Sequence, residues 1–478
     1  MTVPPRLLLL GGAVAVAGSL PGWLPTAVIS LRERVFARVN GTEGLEAPGP
    51  EVTAEEFKQV YGHHAANGRS QGAGLSDLFW YWLAPGPQMH QEHLEPGPRY
   101  DEAARVTRQI LAALTKPQWE ELVARCTRQT LDEFDARGGG GGGVRRVRLR
   151  DLMMPIWAAV YYEVIFKNPC PPDARDLIVG HAEDVINALK CTSLRHLDRR
   201  NRLTEYLRER FSTAPPPIPL PSLMSPQEQV YFIQGGFFNT AVVQMSEAMT
   251  HLLLALATHP AEQERLVADG ESGELLDRMI NETLLHFPLF GVAHRITSAP
   301  IPRQRGEPIP AGSVLLFNYA DYQTSGLAGR TAFDPDRWLS PETSPSRFIP
   351  FGVTTNRPCP ARGFAVLTAA VAAQEVLRRY VLESSAEHTR SLPNRGPCWL
   401  VPRSRPGASG GALGRRARLA RMRLADRWEA IPRSVVQLVL GSYMVWDARR
   451  QGLCRTYFAI PPDRSGTPGA QPSKGSLE

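Results

Sequence analysis

The chain has 478 residues, 43% hydrophobic and 21% charged, with a formal net charge of +7. Residues 403–455 hold 12 Arg against 3 acids and the last 23 residues cancel, so residues 1–402 carry only −2. A basic excess confined to a tail argues against a body built to bind polyanions, and the composition excludes a disordered chain.

Residues 1–40 form a hydrophobic N-terminal segment. Residues 7–31 carry no charge over 25 positions, more than the roughly 20 that a membrane-spanning helix needs. Three readings stand: a membrane anchor or monotopic segment, a signal peptide cleaved after Ala15-Val16-Ala17, or an apolar packing arm. The apolar stretch continues past that cleavage site, which favours the anchor. Arg32, Arg34 and Arg38 follow the segment, against Arg6 before it. The positive-inside rule then leaves the body cytoplasmic, with membrane association through the N-terminal segment.

Residues 41–402 read as one domain. Several helices are expected over 51–135, broken by turns such as Ala84-Pro85-Gly86-Pro87. Gly138–Gly143 is a flexible connector; no Gly-Lys-Ser/Thr follows, so it is not a phosphate loop. Helical patterning resumes over 150–212 and ends at Pro215–Pro221. A long apolar helix is expected over 226–258, closed by His259-Pro260, and another over about 261–286. Short β-type runs occupy 291–320, and a last long helix about 361–381. The fold class is mainly α with a minor β region.

Residues 403–478 form a basic C-terminal extension, expected to be partly helical and then disordered. Residues 412–428 set Arg415, Arg416, Arg418, Arg421, Arg423 and Arg427 among Leu and Met, a basic amphipathic pattern. It suits an anionic membrane surface or an acidic partner. Val435–Trp446 is apolar but too short to span a bilayer. No nucleic acid is expected as a partner, because nothing supplies base readout.

The six cysteines, Cys126, Cys170, Cys191, Cys359, Cys398 and Cys454, lie at least 21 residues apart. That spacing excludes a CxxC zinc site and is too sparse for a disulfide scaffold. Cys359 is set apart by its surroundings, Phe351-Gly352-Val353-Thr354-Thr355-Asn356-Arg357-Pro358-Cys359-Pro360-Ala361, which lead into a strong helix. A free thiol has a pKa of about 8.5, and a helix N-terminus would favour its thiolate. A thiolate on haem iron pushes electron density to the metal.

This passage resembles the haem-binding loop of the cytochrome P450 superfamily, FGxGxRxCxG. One extra residue lies between Gly352 and Arg357, and Thr354 or Thr355 replaces the second Gly. Asp334-Pro335-Asp336-Arg337-Trp338 resembles the family's meander motif, and Ile309-Pro310-Ala311-Gly312 its IPAG turn. Asn281-Glu282-Thr283-Leu284-Leu285-His286-Phe287-Pro288 resembles its K-helix signature, with Leu285 where the ExxR arginine belongs. That loss leaves Glu282 and Arg337 as a simpler buried pair. The resemblance is firm over about 225–402, weaker over 50–224, and absent from 403–478.

The resemblance implies a cytochrome P450-like fold with haem b as cofactor. Cys359 would be the iron ligand, in the loop that begins at Phe351. Arg357 would contact one haem propionate and Arg295 another, with His294 the alternative to Arg295. His93 is a weaker propionate contact. It also stands three residues from His90, a metal-ligand spacing with no third ligand evident. On the distal helix, Asn239-Thr240 would take the place of the acid–alcohol pair that delivers protons. Ungapped counting from His259-Pro260 puts Val243-Gln244 there instead, and neither pair has a carboxylate. Ser391–Pro397 would line the substrate pocket.

The implied activity is a monooxygenase that uses dioxygen to hydroxylate or epoxidise an apolar small molecule. No flavin or nicotinamide motif is present, so a ferredoxin- or flavodoxin-type partner would supply electrons. Two alternatives stand. One is an isomerase or dehydratase acting on a hydroperoxide without electron donors. The other is a degenerate binding protein without working haem.

Overall fold

The computed structural model describes residues 5–40, 44–69, 74–83, 94–138, 143–269, 273–327, 329, 331–404 and 411–459. In chain order the first half runs α1 (Pro5–Asn40), β1 (Leu45–Ala47), α2 (Phe57–Gly62), α3 (Gly74–Leu83), α4 (Pro98–Ala112), α5 (Lys116–Arg137), β2 (Arg145–Arg148), α6 (Leu149–Phe166), α7 (Pro172–Leu189) and α8 (Leu197–Thr213). The central apolar helix follows as α9 (Pro226–Ile233), a π-helical segment (Gln234–Ala241) and α10 (Val242–Thr258). After it come α11 (Pro260–Asp269), α12 (Glu274–His286), β3 (Val292–Ile296), β4 (Val314–Asn318) and α13 (Tyr319–Ser325). The chain closes with α14 (Ala365–Arg379), β5 (Tyr380–Glu383), β6 (Pro397–Pro402), α15 (Gly411–Gln451) and α16 (Leu453–Ala459).

The main core is built where α5, α6, α10 and α14 pack on one another. Small residues make this approach close: Ala369, Ala370, Ala372 and Ala373 on α14 are all buried. The helix entries are written in the sequence. Ser225 accepts a hydrogen bond from the Glu228 amide at 3.4 Å, Glu228 reaches back to the Ser225 amide at 2.8 Å, and Pro226 takes the first helical position. This reciprocal capping satisfies N–H groups that a helix start leaves open. Two small sheets flank the core. In one, β1 pairs parallel to β4 and β3 antiparallel to it; in the other, β2 and β5 flank β6, both antiparallel. The fold is mainly helical with a minor β component.

Two expectations are corrected. The helix anticipated over about 261–286 is two helices, α11 and α12, and Gly273 before α12 sits at φ +72. That left-handed conformation cannot continue a helix and suits glycine. The last long helix starts at Ala365, so Cys359 is six residues ahead of it rather than at its tip. A helix dipole fades beyond the first turn, so it contributes little at this thiol. The described part of the C-terminal extension is helical and packed on the body. The 41-residue α15 and α16 are tied to the body: Gln437 donates to the Lys190 carbonyl at 2.8 Å, and Arg455 pairs with buried Asp77 at 2.8 Å. The expected disordered end, beyond residue 459, lies outside the described residues.

The N-terminal segment is helical and packs against α15. Among the described residues, one helix is long and apolar enough to cross a membrane, Pro226–Thr258, and 78% of its most apolar window is buried. It is the core helix of the fold.

Candidate active site around Cys359

The cysteine loop is held by a network centred on Glu282. The apolar residues of α12 recur at helical spacing, and Glu282 falls on the same buried face, with no exposed surface. A buried carboxylate must be paired and hydrogen-bonded, and Glu282 is satisfied four ways. Arg337 Nε lies 3.0 Å from its carboxylate, Trp338 Nε1 donates at 2.9 Å, His286 Nε2 at 2.9 Å, and the Asp334 amide at 2.7 Å. Leu285, where a second arginine was expected, is a buried apolar residue. His286 and Trp338 supply donors to the carboxylate. The sequence reading missed both, although His286 stands one turn after Glu282 and Trp338 adjoins Arg337.

Gln323 on α13 carries this order to the loop. Its side-chain amide donates to the Leu284 and Leu285 carbonyls at 3.1 Å each, and its oxygen accepts from the Ile349 amide at 3.2 Å. The chain then turns at Gly352, φ +70, where a Cβ would stand 3.2 Å from the Tyr319 hydroxyl. The extra residue of the loop is absorbed just beyond. Asn356 is buried and its amide reaches the carbonyls of Tyr61, His63 and Ala66 at 3.0, 3.2 and 2.7 Å. Arg357 follows at φ +49, a conformation that non-glycine residues rarely adopt and that concentrates at functional sites.

Cys359 sits at the end of this scaffold, partly exposed. Cys126, Cys191, Cys398 and Cys454 are buried. Burial pushes the thiols of Cys170 and Cys398 up to about 12 and that of Cys191 to about 11, and raises Cys126 as well. Those thiols are held protonated. Burial, and then the charge of Cys359, push up the phenol of Tyr161 on α6.

Arg357 and Arg295 are brought to one neighbourhood, the segment 61–69. Arg357 Nε donates to the Asn67 carbonyl at 3.1 Å, and its guanidinium lies 4.1 Å over the Tyr100 ring. Arg295, buried on β3, lies 5.3 Å over the Tyr61 ring. His294, the alternative to Arg295, donates from Nε2 to the Arg69 carbonyl at 2.7 Å and stacks on Phe79. Phe351 is half-buried and packs against the main core. His90 and His93 lie outside the described residues. Among the described residues no group of three His, Cys, Asp or Glu side chains could hold a metal ion.

The distal helix behaves differently. Almost all of it is buried, but Gly236, Thr240, Gln244 and Ala248 remain partly exposed at a four-residue interval. That interval is one stripe along the helix. The stripe opens on space: a Cβ at Gly236 would meet no atom within 4 Å. The first half of the stripe lies in the π-helical segment, a distortion frequent at functional sites. Asn239 and Val243 are buried off it. Each of the two registers considered therefore contributes its second member, Thr240 or Gln244. The Asn239 side-chain oxygen has no hydrogen-bond partner among the described residues. Ser391–Pro397 is fixed from behind by α15, where Asp426 accepts from the Asn394 amide at 3.2 Å.

No family model matches the chain. A segment of it is 28% identical over 158 residues to a putative cytochrome P450 135A1 of Mycobacterium tuberculosis, covering 32% of this chain and 33% of that protein. Another alignment, 30% identical over 151 residues, covers 28% of this chain and 33% of pentalenene oxygenase from Streptomyces avermitilis. The chain thus spans about a third of the length of the curated relatives it matches. The backbone superposes on CYP175A1 of Thermus thermophillus with a TM-score of 0.56 at 17% identity, covering 81% of this chain and 97% of that one.

The chain has a cytochrome P450-like fold. That fold family implies a haem cofactor, and the donor set of this chain fits one. A partly exposed sulfur is a soft ligand for iron. Two guanidinium groups set against one segment match the two carboxylates of a haem. The open stripe on the distal helix supplies a face without bulky side chains.

Proposed function

We propose that this protein is a P450-type haem-thiolate monooxygenase using haem b, dioxygen and an external electron donor to hydroxylate or epoxidise an apolar small molecule. The observation that carries the reading is Cys359, a partly exposed thiol at the end of a rigidly hydrogen-bonded loop, two residues after Arg357. Bound haem would supply activation of dioxygen and delivery of one oxygen atom to a C–H or C=C bond.

The chain's own residues divide the remaining work. Cys359 would hold the iron through its sulfur. Arg357 and Arg295 would pair with the propionates. Thr240 and Gln244 are polar groups on an otherwise apolar stripe, suited to holding a water and passing a proton. A well-placed proton donor is worth about 10²–10⁴ in rate. Behind the cysteine, a recess of about 540 Å³ is lined by Phe348–Thr355 and flanked by Lys58 and Arg362. Its cations suit an acidic ferredoxin- or flavodoxin-type carrier.

One observation favours a second reading, an isomerase or dehydratase acting on a hydroperoxide. The stripe carries no carboxylate, and a hydroperoxide brings its own activated oxygen and needs no electron donor. The degenerate, haem-free reading rests on Leu285 and the altered loop; against it stands the Glu282 carboxylate, satisfied by Arg337, Trp338 and His286. The deciding experiment supplies the haem-loaded protein with a ferredoxin, its reductase, NADPH and labelled dioxygen over a panel of apolar substrates. Label in a product supports the monooxygenase. Conversion of an organic hydroperoxide without reductase, and no label under any condition, overturns it in favour of the second reading.

A further inference from the structure

The outer face of α15 has no partner among the described residues. Its inner face is packed on the body through Met422, Asp426, Ser434, Gln437, Gly441 and Met444. Half a turn away, Trp428, Val435, Val436, Val439, Tyr443 and Trp446 all point outward. They stay exposed, Trp428 at 43%, Val439 at 59% and Trp446 at 54%. An apolar residue exposed singly is unremarkable, but a stripe of this length on a soluble surface marks an interaction site.

The neighbouring helix also exposes apolar side chains. α1 packs against α15 and leaves Trp23, Ile29 and Leu31 exposed. At the N-terminal end of α15, Arg421, Arg423 and Arg427 are also exposed. At its C-terminal end the Arg450 guanidinium lies 5.4 Å over the Trp446 ring.

We propose that this face docks on an anionic lipid bilayer, with α15 lying in the plane of the interface. The chemistry is that of an interfacial helix. Trp and Tyr favour the headgroup level, where one end of the ring is apolar and the other wet. Flanking arginines pair with lipid phosphates. The apolar stripe of α15 is too short to span the membrane. A second copy of the chain is the poorer occupant, because residues 403–455 carry +9 in each copy and would repel. Docking here would bring the N-terminal apolar helix, which packs on α15, close to the bilayer.

The test uses the full chain and large vesicles of phosphatidylcholine, with or without one third phosphatidylglycerol. The expected result is co-sedimentation with the anionic vesicles, weakened by high salt, with a blue shift of tryptophan fluorescence. The triple variant Trp428→Glu, Val439→Glu and Trp446→Glu should lower binding at least ~10-fold, since the buried apolar area sets the affinity. Arg421→Gln, Arg423→Gln and Arg427→Gln together should remove the preference for anionic vesicles. All these side chains are exposed, so the unfolding midpoint should stay unchanged and serves as the folding control. Failure of the wild-type chain to bind either vesicle overturns the proposal. Undiminished binding of the triple variant also overturns it, because α1 alone would then account for attachment. A wild-type dimer in light scattering that the triple variant turns into a monomer, without vesicle binding by either, assigns the face to self-association instead.

Discussion

The cysteine loop and the distal helix face the same task with opposite constructions. The loop is tied at nearly every turn. Glu282 takes four hydrogen-bond donors, Gln323 links α12 to Ile349, and Asn356 fastens the insertion to residues 61–66. The distal helix is relaxed into a π-helical segment and presents glycine, threonine, glutamine and alanine to open space. The contrast teaches where this chain tolerates change. On the ligand side, loss of the expected arginine is made good by His286 and Trp338, so the geometry is preserved with different residues. On the oxygen side, the expected carboxylate has no replacement on the stripe, so the chemistry there is free to differ.

The largest effect should come from the loop itself. Cys359→Ala should abolish the thiolate spectrum of the haem-loaded protein while leaving its far-ultraviolet circular dichroism unchanged. A surviving thiolate spectrum would show that another cysteine is the ligand. Next is the network beneath the loop. Glu282→Ala leaves Arg337 buried without its carboxylate, and such uncompensated charges cost about 3–5 kcal/mol. Urea unfolding should register that loss, and Leu285→Arg should not restore it. A cost near zero would mean that the four donors contribute nothing net.

The distal stripe should respond in rate rather than stability. Thr240→Val or Gln244→Leu should lower dioxygen-supported turnover by about 10² if that side chain positions the proton, with substrate binding unchanged. Equal, small effects from both would break the contrast between the two sides. Hydroperoxide conversion, if present, should be indifferent to both.

A pH-dependent effect is expected in the middle of α10. His251 Nδ1 and His388 Nε2 lie 3.0 Å apart. Burial pushes both down, His388 to about 2, with each other's charge adding to the shift of His388. Once unfolded, these rings take up protons near pH 6.5. The unfolded state therefore binds more protons below that pH, and stability must fall as the solution is acidified. The slope is about 1.4 kcal/mol per pH unit for each histidine. Denaturant titrations at pH 7 and pH 5 should show it, and His388→Phe should flatten it. The smallest change is Gly236→Ala, which fills open space in a helix and should stabilise by up to about 1 kcal/mol without blocking the site.

Much of the loop was legible in the sequence because its chemistry needs particular residue types in a fixed order. Phe351, Arg357, Cys359, Glu282 and Arg337 could be named from spacing and resemblance together. The apolar period of α12 also put Glu282 on a buried face. What sequence could not show was compensation. His286 and Trp338 are ordinary residues until folding brings Trp338, more than fifty positions away, to the same carboxylate that His286 reaches from the next turn. The distal register was ambiguous because motif resemblance chose Asn239-Thr240 and ungapped counting from His259-Pro260 chose Val243-Gln244, and sequence alone could not show that Thr240 and Gln244 lie on one stripe. The dipole argument for Cys359 failed because Pro360 and the turns after it delay the helix to Ala365. The C-terminal extension read as a separate basic arm because its charge dominates its composition. Its inner face, spaced over the whole of α15, is what ties it down.

The central claim is that Cys359 is a thiolate ligand to haem iron. The most direct measurement is the absorption spectrum of the haem-loaded protein, reduced and bound to carbon monoxide, taken beside Cys359→His. The account predicts a Soret band at the thiolate position in the wild type and a shift to the imidazole position in the variant. A wild-type protein that takes up no haem, or a Soret band that does not move on substitution, would contradict it.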